Sequence, residues 1–423
     1  MNETREKQER ALIIGVNINS DPHFEESIEE LKNLAIACDL DPITQIIQNL
    51  PRPNISHYVG SGKLQEIRDI IEAEEIDILV FEDELTPTQI RNLSKIINIE
   101  VVDRTRLILD IFANRAQTKE AKMQVEIARL RYALPRIRHA NQNFDRQRGG
   151  STVNRGAGES KFELNRRKIE IKISDLEKEL KTIALARETQ RKKRSESGIP
   201  IIGLVGYTNA GKSTFMNAMV TRHGQNDNKF VFEKDMLFAT LDTSVRNLTL
   251  ENGKSFILTD TVGFINKLPH HLVKAFLSTL EEVMQADLLL HVVDVSNPNY
   301  LKHIKVTNDT LRFIEADKIP QICVFNKIDL IDEMHPFLKE DSVAISARTG
   351  VGFDSLFDII NDHLFKDTTT CKLLIPFEQS SLISELKQKC SIHNMYYVEN
   401  GTIIEIDLSP QDMSRYQSFS VSI

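Results

Sequence analysis

Apolar positions recur along this chain with two different periods, and the changes between them outline its elements. In the first hundred residues, strand-like runs stand at Ala11–Val16, Ile43–Ile47, Ile76–Phe81 and Glu100–Val102. Between them, Phe24–Cys38, Lys63–Glu74 and Pro87–Ile97 carry apolar residues at threes and fours, the spacing of an amphipathic helix. Thr86 followed by Pro87 predicts an N-cap and a first helical turn. Strand alternating with helix predicts a small α/β domain on a mostly parallel sheet, residues 1–103.

The pattern then turns wholly helical. One helical run is predicted from Arg104 to about Arg138, with Pro135 beginning to end it, and a second from Glu159 to about Arg194. The second carries Ile169, Ile173, Leu176, Leu180, Ile183 and Leu185 on one stripe. Two long helices joined by a loop fold most simply as an antiparallel hairpin, residues 104–197. From residue 198 to 367 short apolar strands return at Ile201–Val205, Phe256–Thr259, Leu288–Val293, Ile322–Phe325 and Val343–Ile345. Residues 368–423 predict a small α+β domain: strands at Leu373–Phe377, Met395–Val398 and Thr402–Ile406, a helix at Ser381–Cys390, and an Asn400-Gly401 hairpin turn.

Composition adds two bounds. No apolar run approaches the length that crosses a membrane, no secretory leader is visible, and four scattered cysteines lack metal or disulfide spacing. A reduced, cytoplasmic, monomeric protein is expected. The net charge of −8 hides an asymmetry, since Arg104–Arg194 holds 24 Lys/Arg against 11 Asp/Glu. A basic segment within an acidic chain predicts a polyanionic partner met by that segment alone.

The most informative stretch is Gly206-Tyr-Thr-Asn-Ala-Gly-Lys212-Ser213, which meets G-x-x-x-x-G-K-[ST] between an apolar strand and a helical pattern. Backbone N–H groups in such a loop curl around phosphate oxygens at a helix N-terminus. Gly206, Asn209, Ala210, Gly211, Lys212, Ser213 and Thr214 are therefore candidate phosphate contacts. Lys212 supplies charge to the β- and γ-phosphates, and the Ser213 hydroxyl is a candidate Mg²⁺ ligand. Downstream, Thr240 in Leu237-Phe-Ala-Thr-Leu-Asp is a candidate switch threonine, with Thr243 as the second choice. Asp260-Thr-Val-Gly263 places a carboxylate for a Mg²⁺-bound water and a Gly263 N–H for the γ-phosphate. The metal set is thus Ser213, Thr240 and Asp260, and the catalytic set Lys212, Thr240 and Gly263.

Asn326-Lys327-Ile328-Asp329 selects the base, because the Asp329 carboxylate accepts from both N1–H and the exocyclic amine of guanine. Ser346, Ala347 and Arg348 follow a strand and supply the turn at the base oxygen. These elements in this order predict a P-loop domain for GTP and GDP. Phe264 stands where many such enzymes carry a water-orienting Gln, which predicts slow intrinsic hydrolysis without outside help. A second Gly-Ser-Gly-Lys, at Gly60–Lys63, lacks the first glycine (His57) and the hydroxyl (Leu64), so it predicts a structural turn before a helix.

Residues 136–158, between the long helices, hold Arg136, Arg138, Arg146, Arg148 and Arg155 with four glycines and Phe144. Such a loop fits irregular RNA, where guanidinium planes stack and bind phosphate. Read alone it fits a solvated tip equally well; a rigid stalk tilts the balance towards RNA.

With these residues in place the chain resembles the HflX family of ribosome-associated GTPases along nearly its whole length. The likeness rests on Tyr58-Val-Gly-Ser-Gly-Lys-Leu, Phe81-Glu-Asp-Glu-Leu-Thr-Pro, Val102-Asp-Arg-Thr-Arg-Leu-Ile-Leu-Asp-Ile-Phe, Arg115-Ala-Gln-Thr-Lys-Glu-Ala, Arg155-Gly-Ala-Gly-Glu and Asp260-Thr-Val-Gly-Phe-Ile. The resemblance implies a factor that binds the large ribosomal subunit, reaches with its loop towards 23S rRNA at the peptidyl-transferase centre, and splits or rescues stalled ribosomes. It also implies that a hydrophobic residue at Phe264 is a family trait. A large-subunit assembly factor that remodels rRNA is the alternative. The sequence departs from the family at Asn154, Ala157 and Ser160 in the loop, at Asn165, and at Thr243.

Asp329→Asn is expected to transfer nucleotide preference from GTP to XTP in a competition binding assay; retained GTP preference would place base recognition elsewhere.

Overall fold

The computed structural model describes residues 8–140, 155–195, 199–224, 237–238, 244–250, 253–267, 269, 272, 277–331, 341–366, 369–389, 392–408 and 410–421. The chain divides into two compact units. The first comprises Met1–Ala184, Met236–Leu241 and Asn266–Phe276; the second comprises Leu185–Asp235, Asp242–Ile265 and Leu277–Ile423.

The first unit opens with β1 (Arg10–Ile18), α1 (Phe24–Ala37), β2 (Asp41–Leu50), α2 (Ser61–Ala73), β3 (Ile78–Phe81), α3 (Pro87–Ile96) and β4 (Glu100–Asp103). All strand pairs are parallel, in the order β2-β1-β3-β4. Helices are the connections a parallel sheet demands. Leu12, Ile14, Ile46, Leu64, Ile67, Leu79, Phe81 and Leu93 form the core. Thr86 makes the predicted cap and more, because Gln89 completes a capping box with it. Gly60 is the N-cap of α2, accepted by the Gln48 side chain, while Lys63 pairs with Glu66 at the surface. The second glycine-lysine stretch is a turn into a helix.

The expected run from Arg104 to Arg138 is two helices, α4 (Arg104–Arg115) and α5 (Lys119–Ala140). Ala116 takes an extended conformation, and the Thr118 hydroxyl accepts from the Ala121 N–H at the start of α5. A Thr preceding an acidic first turn was the available signal for this break. Pro135 lies inside α5 and does not end it.

Asp103 joins these pieces. It is fully buried, caps α4 by accepting from Arg106 N–H (2.9 Å), and accepts from Leu85 N–H (3.0 Å), Tyr132 Oη (2.8 Å) and Arg136 Nη2 (3.3 Å). Burial pushes its carboxyl pKa upward, opposed by the two amides and by Arg136.

The long helix α6 spans Arg155–Ser195. Ile169, Ile173, Leu176, Leu180 and Ile183 are half-buried as a stripe, whereas Leu185 is exposed. Lys119–Glu179, Lys172–Glu126 and Arg131–Glu177 ion pairs bridge α5 and α6. Lys119 and Arg131 lie about three turns apart on α5 yet meet acids two residues apart on α6. The bridges therefore converge on one stretch of α6 and do not trace a single antiparallel ladder. Exposed pairs of this kind contribute only about 0.2–1 kcal/mol each.

In the second unit, β5 (Ile201–Val205), α7 (Lys212–His223), β6 (Ser244–Thr249), β7 (Ser255–Asp260), α8 (Leu277–Met284), β8 (Leu288–Asp294), α9 (Tyr300–Phe313), β9 (Gln321–Asn326), β10 (Ser342–Ala344) and α10 (Phe353–Phe365) surround a six-stranded sheet. Its order is β10-β9-β8-β5-β7-β6, parallel except for β6. β6 went unpredicted because four of the six residues of SVRNLT at this edge are polar and only Leu248 is fully buried. The continuous apolar runs of β5 and β8 are those of strands covered on both faces.

The same unit ends with β11 (Thr369–Ile375), α11 (Ser381–Lys389), β12 (Ile392–Val398), β13 (Gly401–Leu408), α12 (Pro410–Tyr416) and β14 (Ser420–Val421). The strands form an antiparallel sheet in the order β12-β13-β11-β14. The predicted hairpin turn joins β12 to β13. Among the described residues, no helix is long and apolar enough to cross a membrane.

Replacing Asp103 by Ala orphans two amides, a hydroxyl and a guanidinium in the interior. The expected loss is about 3 kcal/mol or more from the unfolding transition of the first unit, measured by urea titration.

Candidate functional site

The sheet order puts β5 between β8 and β7, so the chain leaving β5 emerges where successive connections diverge. Open α/β sheets bind ligands at the carboxyl ends of strands at such a point. Residues 206–211 make the turn there. Gly206 has φ +149°, and a Cβ on it would lie 2.2 Å from the Val292 carbonyl oxygen. Asn209 (φ +60°) and Gly211 (φ +86°) are left-handed, which turns successive N–H groups inwards as an anion-binding nest. Gly211 is the N-cap of α7, adding the positive end of a helix.

Lys212 is buried, and its Nζ donates to the carbonyls of Gly206 (3.1 Å) and Tyr207 (2.8 Å). Burial pushes its pKa down to about 8, with Asp260 pulling the other way. The ammonium is thus held under the loop, where an arriving phosphate supplies the counter-charge that burial denies it.

Asp260 ends β7 with no exposure, and the Ser213 Oγ stands 3.4 Å from its Oδ2. Two hard oxygen donors beside the phosphate nest fit Mg²⁺. Thr240, the third candidate, lies outside the described residues, as does Thr243. Gly263 packs against the loop: a Cβ on it would come within 2.9 Å of Lys212 Nζ and of Thr208. Phe264 follows it, 3% exposed, and its backbone bonds the loop on both sides. Its N–H donates to Gly206 O (3.1 Å), and its carbonyl accepts from Thr208 N–H (2.7 Å).

At the base end, Asn326 is buried. Its Nδ2 donates to Ala210 O (3.0 Å) and its Oδ1 accepts from Ala347 N–H (2.9 Å). Lys327 is left-handed (φ +66°), and its Nζ pairs with Asp294 at 2.7 Å. Asp329 sits exposed in the short turn Ile328–Leu330, its carboxylate open to a ligand. Ser346 is buried and accepts from Thr349 N–H (3.1 Å), shaping the loop that carries Ala347 and the exposed Arg348. Asp294 is a site residue that sequence reasoning missed. An acid closing an apolar strand just before the region of Asn326 was its signal.

The structure therefore brings together Gly206, Asn209, Ala210, Gly211, Lys212, Ser213, Thr214, Asp260, Gly263, Asn326, Lys327, Asp329, Ser346, Ala347 and Arg348 in one unit. The arginines fare differently. Arg136 lies in the first unit over the Tyr132 ring, 3.3 Å from its centroid, and donates to Leu85 O (3.0 Å), Tyr132 O (2.7 Å) and Asp103. It is an interior anchor of α5 and is set aside as an RNA contact, because Nη1 and Nη2 are bonded within the first unit and Nε is buried. Arg146 and Arg148, and the side chains of Arg138 and Arg155, lie outside the described residues.

A parallel sheet with a phosphate nest at its switch point, a Ser–Asp oxygen pair and an Asn-Lys-x-Asp turn define a P-loop GTPase. Comparison with known proteins agrees. Residues 25–113 match the family model described as GTP-binding GTPase N-terminal, 115–194 the GTP-binding GTPase middle region, and 201–327 the 50S ribosome-binding GTPase. GTPase HflX of Caldanaerobacter subterraneus is 41% identical, covering 100% of this chain and 96% of that protein. GTPase HflX of Escherichia coli K12 is 35% identical over 93% and 92%. A GTP-binding protein from Sulfolobus solfataricus, crystallised with GDP, is 26% identical, covering 85% of this chain and 99% of that one at a TM-score of 0.44. The chain belongs to the HflX family of GTPases and is a GTP-hydrolysing enzyme.

Gly211→Ala adds a Cβ that would meet Asn326 Nδ2 at 2.4 Å and strains a left-handed backbone. GDP affinity by fluorescence titration is expected to fall at least about tenfold, the equivalent of one lost buried hydrogen bond; an unchanged affinity would show that Asn326 can move without consequence.

Proposed function

We propose that this protein binds the large ribosomal subunit in its GTP form and splits or rescues stalled ribosomes, with the ribosome stimulating hydrolysis. The reading rests on one observation above all. Phe264 occupies the place of a water-orienting Gln, and its ring is buried while its backbone is tied to the phosphate loop. A GTPase so equipped needs an outside group to position water. The family description of a 50S ribosome-binding GTPase supports the large subunit as the source of that group.

In this scheme Gly206 to Thr214 hold the phosphates, Lys212 stabilises the charge that develops between β- and γ-phosphate, and Gly263 N–H meets the γ-phosphate. Ser213 and Asp260, with Thr240, hold Mg²⁺, which when bound neutralises phosphate charge. Asn326 and Lys327 shape the base pocket, Asp329 reads guanine, and Ser346 to Arg348 close over the base. The segment between α5 and α6, with Arg138, Arg146, Arg148 and Arg155, is the proposed contact to 23S rRNA near the peptidyl-transferase centre. The protein acts as a cytoplasmic monomer.

The test is GTP turnover with and without purified 50S subunits, together with sedimentation of 70S ribosomes. Stimulation of at least about tenfold, corresponding to about 1.4 kcal/mol of transition-state stabilisation, is expected with a GTP-dependent shift of 70S into subunits. Unstimulated turnover, or an undisturbed 70S peak with no protein in it, would overturn the proposal.

A further inference from the structure

Helix α7 begins and ends at the nucleotide site. Gly211 and Lys212 open it in the phosphate nest, and its last turn carries Arg222. Its 12 residues, at 1.5 Å each, put about 18 Å between the two ends. Arg222 leaves the helix towards the loop that follows β10. Its Nη2 donates to the Gly350 carbonyl at 2.7 Å, and its guanidinium lies over the Phe353 ring of α10, 4.6 Å from the centroid. Nη1 stands 4.0 Å from Asp354 Oδ1. All of these residues belong to the second unit.

The loop it reaches is a closed turn. Gly350 N–H donates to Ser346 O (2.8 Å), Ser346 N–H to Val351 O (3.1 Å), and Thr349 N–H to Ser346 Oγ (3.1 Å). Those bonds fix the turn's own shape but not where it stands. Bonds from elsewhere do that. On the inner side Ala347 N–H donates to Asn326 Oδ1, and on the outer side Arg222 takes hold of Gly350. Gly350 is left-handed at φ +84°, and a Cβ on it would come within 2.4 Å of Arg222 Nη2. Phe353 is fully buried and stacks on Phe215 of α7, centroids 5.6 Å apart, so the guanidinium rests on a fixed ring. An arginine that served only to pair with Asp354 would need none of this. Asp354 is fully exposed, and a pair at 4.0 Å there contributes little.

We propose that Arg222 is a positioning residue for guanine recognition. Resting on Phe353, it holds the 346–351 loop through the Gly350 carbonyl in the place from which Ser346 to Arg348 meet the 6-oxygen of the base. The proposal rests on the reading of Ser346, Ala347 and Arg348 as the turn at that oxygen.

Asn326 ties Ala347 to the phosphate loop through Ala210, so the inner side of the turn is fixed from the phosphate end. The outer side, with Thr349 exposed and Gly350 half-exposed, can swing about Ala347 unless a second point is held. Arg222 supplies that point from the same helix whose N-terminus cradles phosphate. A hydrogen bond to the base oxygen tolerates little displacement, because it weakens steeply as its angle closes. Two holds set the distance and angle at which the loop meets the 6-position, whereas one hold sets only its neighbourhood. The phosphate nest lies at the other end of α7, so loss of the outer hold falls on the base contact and leaves the phosphate contacts in place.

The experiment compares the full-length chain with its Arg222→Met, Arg222→Lys and Asp354→Asn variants, with thermal melting alongside. Affinity is measured for GDP, for a non-hydrolysable GTP analogue, and for 6-thioguanosine diphosphate, whose sulfur is a poorer acceptor than oxygen. The parent should prefer GDP to the thio compound. Arg222→Met is expected to weaken GDP binding by about threefold to tenfold, the range of one hydrogen bond, and the thio compound by less than about twofold, so that the preference shrinks. The GTP analogue should weaken by the same factor as GDP. Arg222→Lys keeps a donor without the planar fork and should retain more of the preference than Met, while Asp354→Asn should retain all of it. Should Arg222→Met fail to fold, the preference is read on Arg222→Lys, where a smaller loss in the same direction is expected. A folded Arg222→Met with the parental preference overturns the proposal, whatever its melting temperature. An equal loss for both diphosphates, the mark of a merely structural residue, overturns it as well. A loss as large in Asp354→Asn does the same, because it places the effect in the charge pair. A parent that binds both diphosphates equally shows that the turn does not read the 6-position, which overturns that underlying reading and the proposal with it.

Discussion

One buried amide holds the nucleotide-binding end of the second unit together. Asn326 donates to the phosphate loop at Ala210 and accepts from Ala347 in the loop after β10, so three stretches far apart in sequence share a single side chain. At 2% exposure it meets little competition from water for either bond, and its removal would leave a buried carbonyl and a buried N–H unsatisfied, about 1–3 kcal/mol each. The neighbouring Gly211 fits this arrangement, because any larger residue would occupy the space the amide fills. The loop's left-handed residues and the base-reading turn thus hold one geometry before any ligand contributes.

Much of this was legible in the chain because local chemistry dictates it. The phosphate loop needs glycine where φ is positive, and buried parallel strands need unbroken apolar runs, so β1, β5, β8 and β9 fall within one or two residues of where periodicity puts them. The Thr86-Pro87 start and the Asn400-Gly401 turn depend on few neighbours and were equally visible. What escaped was set by distant partners. β6 is a mostly polar edge strand that exists through pairing with β7. The break between α4 and α5 interrupts apolar spacing that continues on either side of it. Pro135 remains within α5, where propensity alone predicts an end.

The charge balance points to a polyanionic partner, in keeping with the 50S ribosome-binding family model, but it does not say which cations are available. The basic surplus between Arg104 and Arg194 predicts a polyanionic partner met by that segment alone. Several of those arginines are engaged within the first unit: Arg104 with Glu30, Arg106 and Arg129 with Asp110, Arg136 with Asp103. A net count records how many cations a segment carries, not how many remain available. Arg136 and Arg104 are both largely removed from water, and each is matched to an acid from outside its own helix. Breaking either pair would strand a charge in the interior, so these residues are bound by stability before any function is considered.

Phe264 links the two halves of the functional reading. In a GTPase with a glutamine here, the side chain that senses the γ-phosphate also orients water, so sensing and chemistry travel together. A buried phenylalanine separates them. Its main chain can still report where the segment lies, through the bonds to Gly206 and Thr208, but its ring adds nothing to the attack on phosphorus. In the proposed function the chemical step is therefore left to the ribosome that the GTP-bound form meets. A switch that must remain charged until it finds a large partner benefits from that separation, because a self-sufficient active site would discharge it in free solution.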